Sequence, residues 1–599
     1  MKKFVVFLSL LLSLSISSFA QVTIDPNDDF YNQVERWETL KIIQQQPPLR
    51  PYPFSLVENI LKTVIESDNE KESLKAQKIY EQLTNKKYII AFDADANVKL
   101  SDEDNKKQAI ALYGLNGDAQ LNNLFSAGYK LDFISGLYPE LNVSPLYTQI
   151  PYYMADGSSK NSKFNNYMEV DGGVAFNFKD FYIQAGINHQ GFGSFYDKST
   201  VISPKAKHTA NFSFTYLGSN WSYTQGIMTL SATNAVHDTK FSNKWLMFHS
   251  ADVNFTDWFS MSFYETVIYG QRFDPSYMIP MLFMVTQGVT GYDADNLFMG
   301  ATFNFRPMNG LTLTLDGYLD DIGFRGFKQY HDIKLRGTAQ AGVKYIPDNL
   351  DWLDMIKLDY TVITPFMYAH RMDYVNEFNY NKDTVDYKKL GSIYSVNYQT
   401  YTTSGCALGS NLPPNSDRIA LAANFTPMTG LKIGFATSFV RHANVTEGLT
   451  VDEQLAYLNA PENYFATDGS LNQCESCYFK NPETDEYKYK QLPSAWNKSM
   501  ILTQPSKLTV FNLGLDVNYD FPKTNFGQFS VGLSYGFEYI KNKGVDSNIF
   551  VGEGTIEDGK FKPGTKTEAA DVEAALAAWR SNFHDEFNQF VTINFGYRF

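Results

Sequence analysis

Two neighbouring segments near the carboxyl end alternate between apolar and polar residues, and this alternation limits the fold more than any other feature. The apolar positions are Phe511, Leu513, Leu515, Val517, Tyr519 and Phe521, then Phe529, Val531, Leu533, Tyr535, Phe537 and Tyr539. A period of two is typical of β-strands whose faces meet different surroundings. The polar positions are small, uncharged or acidic, whereas the exposed face of a soluble sandwich usually carries Lys and Glu. We therefore predict membrane strands with lipid on one side and a watery lumen on the other.

The two ends of the chain favour export and assembly in a bacterial outer membrane. A basic start, an apolar run and a small-residue cleavage site ending at Ala20 indicate a signal peptide over residues 1–20. The chain ends in an alternating segment whose last residue is Phe599, which resembles the recognition signal of outer-membrane barrel proteins. Aromatic residues make up 16% of the chain, as expected if rings line both membrane boundaries. A soluble, secreted β-rich protein is the alternative.

Residues 21–87 differ in pattern from the rest of the chain. Their first apolar positions recur every three residues, as on one face of a helix, at Val34, Trp37, Leu40 and Ile43. After a Pro-rich break, Ser55 and Glu58 match a capping box that opens a second helix, and a third is predicted over 69–83. We predict a small helical unit that lies beneath a barrel in the periplasm or plugs it, with the barrel itself over 88–599.

From residue 88 onward the pattern predicts an all-β, antiparallel transmembrane barrel of about eighteen strands. The strands begin near residues 88, 107, 125, 166, 180, 208, 220, 243, 258, 294, 311, 334, 355, 417, 430, 509, 525 and 590. With an even number of strands, the start of the first strand and the end of the last strand both lie on the periplasmic side. The tight connections then fall on that side and the long connections fall outside. The strand-like segment Ile393 to Tyr401 would break this parity, so we predict a hairpin arm within an external loop. A loop helix is predicted over Ala569 to Trp579.

No pattern of chemistry-bearing residues predicts catalysis or a bound cofactor. The net charge of −14, without a basic tract, argues against nucleic acid as a partner. The eight histidines form neither a two-His metal spacing on one helix nor a triad order. We therefore predict no metal site, no cofactor and no enzymatic activity. A barrel with an embedded hydrolytic site, as in outer-membrane proteases and phospholipases, is the alternative.

The predicted external loops contain one dense cluster of aromatic residues. The candidate glycan-contacting residues are Tyr457, Tyr464, Tyr478, Tyr487, Tyr489 and Trp496. Flat rings can stack on sugar faces while nearby carboxylates and amides bind hydroxyl groups, and packing between loops is the alternative for each ring. Three cysteines, Cys406, Cys474 and Cys477, also fall in these loops. A disulfide between Cys406 and the Cys474/Cys477 pair is the candidate staple.

Three stretches resemble the capsule-assembly Wzi family of outer-membrane barrels. They are Arg36 to Pro53, Ile187 to Gly193, and a run that includes Tyr264 to Gly270, Phe273 to Pro280, Asp295-Asn296, Phe303 to Pro307 and Leu319 to Asp321. The resemblance covers residues 30 to 340. It implies an eighteen-stranded barrel with an associated periplasmic helical bundle, and a role in holding capsular polysaccharide at the cell surface through external loops.

The preferred hypothesis is therefore an outer-membrane barrel that attaches or organises capsular or other surface polysaccharide. Its partners would be that polysaccharide, together with outer-membrane lipid and lipopolysaccharide. Two alternatives stay open. One is a diffusion porin for small solutes, because a watery barrel of this size conducts unless helices or loops fill it. The other is a structural subunit of a larger outer-membrane assembly.

Overall fold

The alternating segments pair into one antiparallel sheet that closes on itself as a barrel. The computed structural model describes residues 25–84, 88–101, 107–120, 125–136, 144–147, 165–193, 195, 198–233, 240–291, 295–323, 334–347, 350–370, 373–374, 395–452, 476–480, 487–491, 500–547, 549, 554–557, 560–563 and 569–598. The barrel strands, β1 to β18, are Tyr88–Ser101, Lys107–Gln120, Phe125–Gly136, Asn165–Asn177, Phe181–Asn188, Thr209–Leu217, Trp221–Thr233, Lys240–Thr256, Phe259–Gly270, Asn296–Met308, Leu311–Gly323, Lys334–Tyr345, Leu353–Ile363, Ser416–Met428, Leu431–His442, Leu508–Asp520, Gln528–Lys543 and His584–Arg598. They pair in chain order, and β18 pairs with β1 from Arg598 opposite Ala91 to Asn588 opposite Ser101. This last ladder closes the ring, which matters because unpaired backbone groups in lipid are costly.

The structure confirms the prediction of an eighteen-stranded antiparallel barrel. The two turns with similar sequences have glycine in the left-handed region, with φ of +79° at Gly310 and +85° at Gly430, as their Pro-x-x-Gly pattern predicts. The predicted loop helix is present at Ala569–Ser581. The last strand begins at His584, earlier than the predicted start near residue 590.

Side chains that point away from the lumen form an apolar band around the barrel. On β11, Leu313 and Leu315 are 38% and 52% exposed, whereas Thr312, Thr314 and Asp316 are buried. Other exposed apolar side chains of the barrel strands are Tyr129, Phe212, Leu358, Phe439, Leu533 and Ile593. A closed barrel with such an outer band is the form in which β-strands cross a bacterial outer membrane. The chain is therefore an outer-membrane β-barrel.

Three helices precede the barrel and pack against the end with the short turns. Helices α1, α2 and α3 span Phe30–Thr39, Phe54–Ile65 and Glu70–Thr84. The N–H of Gly310, in the turn between β10 and β11, donates to the carbonyl of Thr39 at 3.1 Å. Short turns face the periplasm in barrels of this kind, so we expect the helical unit at the periplasmic end. Among the described residues, no helix combines the length and apolarity needed to cross a membrane.

The start of α2 differs from the sequence prediction. Ser55 and Glu58 match a capping box, but the helix begins at Phe54, and Pro53 occupies the N-cap position without a side-chain hydrogen bond. Ser55 Oγ instead donates to Asn177 Oδ1 on β4 at 2.7 Å. Because Pro53 already sets an extended backbone before the helix, the serine hydroxyl is available to join α2 to the barrel wall.

Helices α1 and α3 are joined by a buried ion pair. Arg36 Nε and Nη2 donate to Glu72 Oε1 at 3.0 and 2.9 Å, and Trp37 Nε1 donates to Glu72 Oε2 at 3.0 Å. Glu72 is 1% exposed and borders the apolar core that Trp37 forms with Leu61 and Val64. A buried charge is tolerated when it is paired and hydrogen-bonded, and here both carboxylate oxygens have donors.

A second buried carboxylate, Glu35 on α1, ties the helical unit to the barrel wall. Its Oε2 lies 2.7 Å from Lys357 Nζ and 3.2 Å from Lys344 Nζ, and its Oε1 lies 3.5 Å from Arg50 Nη2. Burial alone would raise the pKa of Glu35, but the three cations lower that pKa well below its usual range. The folded pKa is thus below the unfolded value of about 4.3. The contact therefore stabilises the folded state above that pH, and the stabilisation is lost as the pH falls.

We expect Glu35→Gln to loosen the helical unit from the barrel at pH 7. The variant deprives the partly buried Lys344 and Lys357 of their buried carboxylate partner. Breaking a fully buried pair costs roughly 3–5 kcal/mol, which is the upper bound here because both lysines keep some contact with solvent. Limited proteolysis of the detergent-solubilised protein should cleave residues 25–84 faster in the variant. Lowering the pH from 7 to 3 should lower the melting temperature of the wild type more than that of the variant.

The matched control for this experiment is Glu58→Gln. Glu58 pairs with Lys62, an exposed neighbour on α2, at 2.8 Å. Exposed pairs contribute about 0–1 kcal/mol, so the control should resist protease almost as the wild type does. Equal resistance of Glu35→Gln and wild type would contradict the role assigned to Glu35.

Candidate functional site

Two loops fold back into the barrel and occupy its lumen. The inner loop, residues 189–208, joins β5 to β6, and the second inner loop, residues 364–415, joins β13 to β14. Residues 194, 196, 197, 371, 372 and 375–394 of these loops lie outside the described part. The loops meet inside the barrel, where the N–H of Ser203 donates to the carbonyl of Leu408 at 2.8 Å. The lumen is therefore filled by the chain's own connections between strands.

A buried lysine of the wall holds the second inner loop. Lys244 on β8 is 0% exposed, and its Nζ donates to the carbonyl of Asn397 at 2.7 Å. The N–H of Thr233, at the end of β7, donates to Asn397 Oδ1 at 2.8 Å. The segment predicted as a hairpin arm does pair as one at Ser395–Val396, outside the barrel sheet, and then turns into the lumen.

Aromatic rings from the wall and from both inner loops pack into one cluster across the lumen. Phe192 of the inner loop contacts Tyr264 of β9, with ring centroids 5.2 Å apart, and Tyr401 of the second inner loop contacts Phe298 of β10 at 4.9 Å. Tyr264 also lies 5.8 Å from Tyr318 of β11. These five residues are between 0% and 2% exposed. The predicted watery lumen is wrong at this level, because the lumen face of the wall becomes apolar where it packs on the loops.

The hydroxyls of Tyr264 and Tyr318 in this cluster are hydrogen-bonded to other side chains of the wall. Tyr264 OH donates to Asp316 Oδ2 at 2.7 Å, and Thr302 Oγ1 donates to the same oxygen at 2.5 Å. The hydroxyls of Thr266 and Tyr318 lie 2.5 Å apart. Buried polar groups are costly without partners, so these bonds allow tyrosine in an apolar cluster and fix where its rings lie.

Glycines in the wall give the rings their space. A Cβ atom on Gly342 of β12 would lie 2.5 Å from the ring of Phe195 in the inner loop. A Cβ atom on Gly300 of β10 would lie 2.4 Å from the ring of Tyr264. Carbon atoms do not approach this closely without displacement, so the wall and the material that fills it are complementary in shape.

A polar cavity of about 470 Å³ lies between the inner loop and the periplasmic end of the barrel. Its lining includes Asp25, Asp95, Lys130, Asp132, Lys432, Asn518, Asp520 and Asn594. Lys130 Nζ lies 3.0 Å from Asp25 Oδ2 and 3.3 Å from Asp132 Oδ2. The predicted polar lumen face is therefore present in this part of the barrel. The apolar cluster separates this polar cavity from the outer end of the barrel.

The loop after β9 folds over the outside of the wall. We call residues 271–291 the outer lobe, and it contains α4, Phe283–Thr290. Phe283 packs in one apolar cluster with Met247 and Val267, which face outward from β8 and β9. The exposed apolar side chains of the lobe are Phe273, Met278, Ile279, Met281, Leu282, Met284, Val285 and Val289. The lobe therefore presents an apolar surface of its own outside the barrel.

The outer lobe covers a polar pair on the outer face of the wall. His249 Nε2 lies 3.0 Å from Glu265 Oε2, and the same oxygen accepts the N–H of Phe283 at 2.7 Å. Ionisable side chains facing lipid are costly, so this pair depends on its cover. Arg272 of the lobe donates from Nη1 to Oδ1 of Asp295, which directly precedes β10, at 3.0 Å. The residues that carry the most specific part of the family resemblance thus build and anchor this lobe.

Three of the six candidate glycan-contacting residues lie on a hairpin in the loop between β15 and β16. Its strands, Ser476–Lys480 and Tyr487–Gln491, place Tyr478 opposite Tyr489, and Tyr487 opens the second strand. The other three candidates, Tyr457, Tyr464 and Trp496, lie outside the described residues. The aromatic cluster as a whole stays a prediction.

The cysteines fall in two different parts of the fold. Cys406 is buried in the second inner loop, where Cys406–Ala407 pairs with Thr402–Thr403. Cys477 lies on the hairpin strand Ser476–Lys480, and Cys474 lies outside the described residues. The disulfide between Cys406 and the Cys474/Cys477 pair stays a prediction.

The structure also brings together four ionisable side chains that the sequence did not connect. Glu169 and Asp171 of β4 meet His189 and His208, which stand at the two ends of the inner loop. The prediction of no metal site rested on histidine spacing along one helix, whereas these side chains come from β4 and from the two ends of the inner loop. The sequence contained one signal that the two histidines could meet, because each lies immediately next to the end of a strand.

No family model and no curated protein matches the sequence. The structure is similar to that of Wzi from Escherichia coli, described as an outer-membrane protein involved in group 1 capsule assembly and as a carbohydrate-binding β-barrel. The identity is 10%, the match covers 96% of this chain and 99% of that chain, and the TM-score is 0.50.

Weaker similarity extends to other barrels. OccAB2 of Acinetobacter baumannii matches at 9% identity over 86% of this chain and 98% of that chain, with a TM-score of 0.39. The outer-membrane protein opdK of Pseudomonas aeruginosa matches at 8% identity over 85% of this chain and 99% of that chain, with a TM-score of 0.37. At 10% identity the likeness to Wzi shows the fold, an outer-membrane β-barrel, and leaves the family unassigned.

We expect Gly342→Ala to destabilise the barrel by about 1–3 kcal/mol, because the added methyl group must displace the ring of Phe195. The measurement is the melting temperature in detergent micelles. Gly317→Ala is the matched control, since a Cβ atom on Gly317 meets nothing within 4 Å. Equal melting temperatures for the two variants would contradict close packing between the wall and the inner loop.

Proposed function

We propose that the chain attaches or organises polysaccharide at the outer surface of the outer membrane, without catalysis and without conduction of solutes. The observation that carries this proposal is the filled lumen. Phe192, Phe298 and Tyr401 meet across the barrel and are 0–2% exposed. A barrel of this strand number conducts when its interior is open. With its interior packed, it acts through the surfaces that it presents outside.

The likeness to Wzi supports the same proposal. That protein is described as carbohydrate-binding and as involved in capsule assembly, and the match includes 99% of its chain. The resemblance read from Tyr264 to Gly270 and from Phe273 to Pro280 lies in the strand and the outer lobe described above. The proposed partners are a surface polysaccharide at the external loops, and lipid and lipopolysaccharide around the apolar band.

The hairpin between β15 and β16 is the proposed contact region for the polysaccharide. Its register places Tyr478 opposite Tyr489, and Tyr487 opposite Lys480. Three aromatic positions and one basic position thus occupy neighbouring places on a single two-stranded element. Aromatic rings with polar neighbours are suited to sugars, which offer an apolar ring face and peripheral hydroxyl groups.

We expect the double variant Tyr478→Ala, Tyr489→Ala to retain less polysaccharide on the cell than the wild type. Loss of each ring contact should weaken binding by about 1 kcal/mol, which is several-fold in affinity per ring. The measurement compares cell-bound and released polysaccharide by staining, in a strain without the gene and in strains that carry each variant.

The control variant is Tyr129→Ala, Tyr535→Ala, which removes two tyrosines of the lipid-facing band. When both strains contain equal amounts of folded barrel, the control strain should retain as much polysaccharide as the wild type. Unchanged retention after deletion of the gene would contradict the proposed function. If deletion of the gene lowers retention but the Tyr478/Tyr489 variant does not, the hairpin is not the contact region for the polysaccharide.

A further inference from the structure

Four ionisable side chains converge on the lumen wall where the inner loop begins and ends. Glu169 and Asp171 lie on β4 and are 5% and 4% exposed. His189 directly follows β5, and His208 directly precedes β6. One nitrogen or oxygen atom from each of the four lies within 4.8 Å of the others. The cluster therefore joins both ends of the inner loop to one neighbouring strand.

The distances between these atoms are close to those in a tetrahedral metal site. His189 Nε2 lies 3.3 Å from Glu169 Oε1 and 3.8 Å from Asp171 Oδ2. His208 Nδ1 lies 3.3 Å from Glu169 Oε1 and 2.6 Å from Asp171 Oδ1. Zinc bonds of about 2.0–2.1 Å place tetrahedral ligand atoms roughly 3.3 Å apart. Small side-chain movements would bring the four groups into such an arrangement.

A hydrogen bond on the far side of His189 fixes which nitrogen faces the carboxylates. Its Nδ1 lies 2.7 Å from the carbonyl oxygen of Ala206. A carbonyl oxygen only accepts, so Nδ1 carries the hydrogen. Nε2 is then the nitrogen directed at Glu169 and Asp171. Metal-binding histidines usually have this arrangement, in which the other ring nitrogen donates to a carbonyl or carboxylate.

A separate observation concerns one oxygen of Glu169. Its Oε1 is buried, and among the described residues no donor reaches it with hydrogen-bond geometry, although His189 Nε2 and His208 Nδ1 each lie 3.3 Å away. The amine of Lys130 contacts Asp25 and Asp132 instead. A buried carboxylate oxygen without a hydrogen-bond donor is costly, and coordination to a cation would satisfy it.

We propose that Glu169, Asp171, His189 and His208 bind a divalent transition-metal cation of the zinc type. Two imidazole nitrogens and two carboxylate oxygens form a ligand set that suits zinc. A dication also balances the charge of the two buried carboxylates. Because the histidines stand at both ends of the inner loop, the cation cross-links that loop to β4 and holds it in the lumen. The proposal does not rest on the proposed function.

The test uses the full-length mature protein in detergent micelles, treated with EDTA and then titrated with Zn²⁺ alone. We expect one zinc per chain by elemental mass spectrometry after desalting. We also expect a melting temperature several degrees above that of the EDTA-treated protein, because a ligand that binds the folded state stabilises it. A wild-type protein that retains no zinc overturns the proposal.

The decisive variant is Glu169→Gln, Asp171→Asn, which preserves side-chain volume and removes both anionic ligands. We expect its zinc affinity to fall at least about tenfold, and the zinc-dependent rise in melting temperature to disappear. His584→Ala is the control, because it removes a histidine that lies 3.5 Å from Glu586 at the far end of β18. Unchanged zinc binding by the double variant, or its loss in the control, overturns the proposal.

A second measurement needs no variant and covers the case in which the double variant does not fold. X-ray absorption at the zinc edge of the loaded wild-type protein should show nitrogen and oxygen ligands at about 2.0–2.1 Å, with the multiple scattering of imidazole rings. A spectrum without an imidazole contribution overturns the proposal.

Discussion

Closure of the strand ladder is the constraint on which the rest of this structure depends. In lipid each backbone N–H and C=O must find a partner within the protein, so the first and last strands pair and the sheet becomes a ring. Eighteen strands enclose an interior wide enough for water. This chain fills that interior with the inner loop and the second inner loop, and wall glycines such as Gly300 and Gly342 admit their rings. The closed wall and the packed interior are the reason for proposing a function at the outer surface.

Most of the wall could be predicted from the sequence, because its signals are local. Alternation with a period of two specifies both the strand and its lumen face. A register shift of one residue would turn every side chain of that strand to the opposite face of the sheet. Turns such as Pro307 to Gly310 carry their own geometry in Pro and Gly. The start of α2 was mispredicted for a local reason as well, since Pro53 competes with Ser55 for the N-cap position.

The contents of the lumen and the outer lobe could not be predicted in the same way, because they depend on contacts between distant residues. Phe298 meets Tyr401, Glu265 accepts from Phe283, and Asp171 meets His208 only after the barrel has closed. One signal was nevertheless present in the sequence. Leu246 and Phe248 occupy lumen positions beside outward-facing Met247, so β8 is apolar on both faces there, as in a strand buried on both sides.

The filled lumen is the central claim, and ionic current tests it most directly. Purified protein would be inserted into planar lipid bilayers, with insertion verified independently by protease protection or fluorescence. A barrel packed by its own loops should be nearly silent under an applied voltage. Stepwise, long-lived conductance of the size expected for an open eighteen-stranded channel would contradict the packed interior and the surface function inferred from it.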